Sequence, residues 1–102
     1  MRRKVSKSPA MSADAAEALA SQGLAFLAED TARLVRFMGA TGLGPDDLRR
    51  RAGTREVLAA VLGHLLEDES ALLVFTTGAG IDPAEPQMAY HVLTGGSPWD
   101  SV

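Results

Sequence analysis

The sequence predicts an all-α fold, a compact orthogonal bundle of five to six short helices. Three observations carry that expectation. Apolar residues recur at helical spacing in several successive segments. Between the segments stand the residues that start and stop helices: Ser12, Asp30, Thr54, Asp68 and Asp82 at beginnings, and glycines at 39, 42, 53, 78, 80 and 95 at ends. A lone strand would leave its backbone groups unpaired, and no two runs offer themselves as partner strands. At 102 residues and 46% hydrophobic, the chain holds apolar material for one core and not for two.

Residues 1–11 are basic, contain Pro9 and lack periodicity, so they read as a disordered tail, with Met11 a candidate alternative start. A single helical domain is expected over 12–95. From Ser12, a natural cap, Ala16, Leu19, Ala20, Gly23, Phe26 and Leu27 fall on one side of a helix, opposite Asp14, Glu17, Ser21 and Gln22. Gly23 lies in the middle of that apolar face. It lowers helix propensity by about 1 kcal/mol relative to alanine, and the missing side chain lets another helix cross closely. A second helix runs from Asp30 to Gly39 or Gly42, with Leu34, Val35, Phe37 and Met38 expected inside and Arg33 and Arg36 expected in solvent. Pro45 suits the first position of a short helix that stops at Gly53, and Asp46 and Asp47 suit the positive end of its dipole.

Thr54 caps the strongest helical pattern, in which Val57, Leu58, Val61, Leu62, Leu65 and Leu66 form a broad apolar arc. Asp68 starts a fifth helix. Its Leu72, Leu73, Val74 and Phe75 point in all directions, which implies burial on every side. The same run also fits a strand by length; the want of a pairing strand favours helix, ended by Gly78 and Gly80. Asp82-Pro83-Ala84-Glu85 has capping-box spacing with proline in first helical position, opening a helix whose Met88, Ala89, Val92 and Leu93 share a face up to Gly95. The first, fourth and fifth helices are expected to make the core. Residues 96–102 form a tail without pattern, in which Trp99 suits either a hot spot for a partner or a staple over the domain, the staple favoured by the neighbouring Pro98.

The charges are two-ended. Ten basic and six acidic groups lie in residues 1–55, and seven acids with no lysine or arginine follow, for a net charge of -3. There is no cysteine, hence no disulfide framework and no thiolate metal site. No apolar run approaches the roughly 20 residues that span a bilayer, and the basic start leads into Asp14 and Glu17 rather than an apolar signal core. A cytoplasmic protein with no membrane partner is expected.

Ala25-Phe26-Leu27-Ala28, Arg36-Phe37-Met38, Thr41-Gly42-Leu43, Asp47-Leu48-Arg49, Val57 to Leu62, Asp68-Glu69 and Gly80-Ile81-Asp82-Pro83 form an ordered series over residues 15–95. In that series the chain resembles the domain-of-unknown-function family 3572, small uncharacterised proteins of alphaproteobacteria. The resemblance implies a compact bacterial helical domain. It carries no activity, ligand or catalytic residue to any position.

Nothing in the residues organises a reaction. His64 and His91 stand 27 positions apart without the spacing of a metal pair, His64 at the edge of an apolar arc and His91 facing solvent. Glu67, Asp68 and Glu69 are consecutive and point apart on a helix. The glycines at 39, 42 and 44 lack the lysine and hydroxyl of a phosphate loop, and Asp46 and Asp47 occupy the place of the phosphate. Thr76, Thr77 and the serines have no activating base beside them in sequence. No enzyme and no cofactor are expected.

What remains is a concentration of arginine: Arg33, Arg36, Arg49, Arg50, Arg51 and Arg55 within 23 residues. Arginine makes bidentate bonds to carboxylates and packs its stem on apolar surface, so such a face suits an acidic protein partner. Self-association of the basic half with the acidic half uses the same groups. An accessory nucleic-acid-binding role, using these arginines and the basic tail, is the alternative. It is disfavoured because no aromatic side chain interleaves with them, the overall charge is negative, and two aspartates open the helix that would enter a groove.

Overall fold

The structure is a computed structural model and describes residues 11–95. The expectations for the basic tail and for Trp99 concern residues outside that span. Among the described residues there are six helices and no strand, so the fold is an all-α bundle.

Helix α1 (Ala13–Ala28) begins where Ser12 Oγ accepts the Ala15 N–H at 3.0 Å. It buries Ala16, Leu19, Ala20, Gly23 and Leu27 of the expected stripe, while Phe26 is half-buried at its edge. Helix α2 (Thr31–Thr41) is opened by Asp30, whose Oδ1 accepts the Arg33 N–H at 3.1 Å. Gly42 closes it at φ 78°, donating its N–H to the Met38 carbonyl at 2.8 Å. The expectation for its apolar residues needs correction. Phe37 alone is fully buried, Leu34 and Met38 are half-buried, and Val35 is 56% exposed. Each helical residue turns by about 100°, so a face centred on Leu34, Phe37 and Met38 leaves Val35 outside. The same rotation brings Arg33 to the edge of that face, where it is half-buried rather than in solvent, while Arg36 is exposed.

Helix α3 (Pro45–Arg51) is a short turn in which Asp47 Oδ2 reaches back to accept the Gly44 N–H at 2.9 Å. Acids in its first turn and arginines in its last complement the helix dipole. Helix α4 (Arg55–Leu66) follows directly. Thr54 Oγ1 accepts the Val57 N–H at 3.3 Å and donates to the Arg51 carbonyl at 2.8 Å, so one hydroxyl caps α4 and ties it to α3. Val57, Leu58, Val61, Leu62 and Leu65 are buried, and α4 packs on α1, α2, α5 and α6.

Residues 71–77 are helical, within α5 (Glu69–Ala79), capped by Asp68 and closed by Gly80 at φ 69°. Gly78 lies inside the helix. Burial on every side is not found: Ala71, Phe75 and Thr76 are buried, but Leu73 is 45% and Val74 52% exposed. Helix α6 (Glu85–Leu93) starts two residues later than the capping box implies. Asp82 Oδ1 accepts the Ala84 N–H at 2.8 Å in a tight turn, and Pro86, not Pro83, occupies the first helical turn. Pro86, Ala89 and Leu93 face inward, whereas Met88 is 41% exposed.

The core therefore differs in one member from the expected one. Helices α1, α4 and α6 pack against one another, α2 lies on α1 and α4, and α5 rests chiefly on α4. Two glycines allow the close crossings. A Cβ on Gly23 would lie 3.1 Å from Leu65 Cδ1 and 3.2 Å from Val61 Cγ1, and one on Gly63 would lie 3.2 Å from Tyr90 Cε1. These are the α1–α4 and α4–α6 contacts.

Candidate interaction surface

The six arginines sort into three kinds by what they touch. Arg33 and Arg51 are built into the fold. The Arg33 guanidinium lies 4.6 Å from the centre of the Phe26 ring, and its Nη1 is 3.7 Å from Asp30 Oδ2, which joins α2 to α1. Arg51 sits 3.8 Å from Asp47 and also pairs with Glu56, which joins α3 to α4. Arg55 and Arg49 are exposed but paired, Arg55 with Glu17 of α1 at 3.7 Å and Arg49 with Asp46 one turn earlier. Arg36 and Arg50 are exposed and have no ion pair among the described residues. Of the acids engaged, Glu17, Asp30, Asp46 and Asp47 belong to the same half of the chain as the arginines, and Glu56 is the one from the acidic half.

Where α1, α2 and α3 meet, the surface opens into a groove of about 340 Å³. Leu24 and Ala28 come from α1, Leu34 and Met38 from α2, and Pro45, Leu48 and Arg49 from α3. The groove exists because α3 is too short and too polar to fill it. None of its residues is fully buried, and Leu48 is the one large apolar side chain it turns inward. Sequence periodicity assigns Leu34 and Met38 to the core, and the structure places them at this half-covered margin. Leu24 and Ala28 lie outside the main stripe of α1, and their i, i+4 spacing is the sequence signal for a second, narrower apolar face.

A second groove, of about 320 Å³, lies over α4 between the end of α2 and Tyr90. His64, Glu56, Glu67 and Thr41 line it. The His64 ring is half-buried and meets Phe37 edge-on, centroids 5.4 Å apart, the geometry of an aromatic packing contact. His91 is exposed on α6. Among the described residues no three His, Cys, Asp or Glu side chains gather closely enough to hold a metal ion. Thr76 is buried and donates its hydroxyl proton to the Leu72 carbonyl at 3.0 Å, a bond internal to α5.

No helix among the described residues is long and apolar enough to cross a membrane. Fold and surface together define a small all-α domain with an apolar, arginine-edged groove. Residues 13–96 match the family described as proteins of unknown function, DUF3572, and the chain belongs to that family. No curated protein and no solved structure matches it.

Proposed function

We propose that the protein is a cytoplasmic binding module without enzymatic activity, which takes an acidic amphipathic segment of a partner protein into the α1–α2–α3 groove. The observation that carries the reading is the groove itself: an apolar floor of Leu24, Leu34, Met38 and Leu48 with Arg49 on its edge and Arg50 beside it. An amphipathic helix docks by laying apolar residues into such a groove. Arginine at the rim adds carboxylate recognition and a salt-dependent rate of encounter. The exposed Arg49–Asp46 pair is easily exchanged, because an ion pair in solvent is worth about 0–1 kcal/mol. Nucleic acid fits this site less well. The groove offers no aromatic side chain on which a base can stack, and Asp46 and Asp47 sit among the arginines.

The test is a capture from lysate of cells that make the protein, with three baits: wild type, the double variant Arg49→Glu with Arg50→Glu, and Leu48→Glu. Arg33 and Arg51 are left alone because they hold helices together. A protein retained by wild type at low salt, released by high salt and lost with both variants supports the reading. Retention that survives both variants, or that disappears on nuclease treatment, sinks it.

A further inference from the structure

We draw no further inference here: the strongest candidate, the outward side of α5 with the open groove it shares with α1, exposes only Leu73 and Val74 as large apolar side chains beside Ser70 and Thr77, its groove is also lined by Gln22 and Glu29, and nothing in the structure shows what covers it.

Discussion

At Gly23, a single hydrogen decides how closely two helices cross. A Cβ there would press on Val61, stiffened by β-branching, and on Leu65, both fully buried with nowhere to yield. Gly39, also helical, has nothing within 4 Å of the corresponding position. The two glycines therefore respond in opposite directions to the same change. Gly39→Ala should stabilise by about 0.5–1 kcal/mol through helix propensity. Gly23→Ala gains the same propensity but crowds the core, where overpacking costs about 1–3 kcal/mol, and should destabilise on balance. Urea denaturation followed by circular dichroism checks both, and a Gly23→Ala variant more stable than wild type would refute the close crossing. Of the two, only Gly23 was legible in the sequence, because it interrupts an otherwise continuous apolar stripe. Gly63 was not, because its reason is Tyr90, a residue 27 positions later.

Helix beginnings were legible because the signal is local. Ser12, Asp30, Thr54 and Asp68 each accept the N–H three residues on, as their side chains and positions suggest. Asp82 misled for an equally local reason: a carboxylate before proline serves a turn as well as a cap, and it took the Ala84 N–H instead. Thr54 has the most to do, since its hydroxyl both caps α4 and bonds to the last turn of α3. Thr54→Ala should cost about 1–2 kcal/mol, while Thr54→Ser, which keeps the oxygen, should recover most of it. A Thr54→Ala variant with unchanged stability would show that water replaces both bonds. Periodicity was less reliable for the sides of helices. An apolar run states that α5 avoids water, and does not state whether its own chain or another supplies the cover. The candidate groove was equally indistinct, since Leu34 and Met38 look like core residues until the length of α3 is known.

At the scale of the whole molecule, the last helix completes the core. Helix α6 packs against both α1 and α4, and inserts Pro86, Ala89 and Leu93, whereas α5, nearer in sequence to α4, leaves half its circumference uncovered. The run Leu72 to Phe75 points in all directions and so suggests a central α5, but packing is decided by shape. Small Ala89 lets α6 approach α1 and α4 closely, and Gly63 gives Tyr90 its place. It follows that stability depends on a contact between the two ends of the described chain. Leu93→Ala should cost about 2–4 kcal/mol, and Leu73→Ala, measured in dilute protein, less than about 1 kcal/mol. A domain of this size has only about 5–15 kcal/mol in total, so a chain ended after Gly80 should keep some helix but lose its sigmoidal thermal transition. Cooperative melting of that shortened chain, or a larger loss from Leu73→Ala than from Leu93→Ala, would place the centre of the fold at α5 after all.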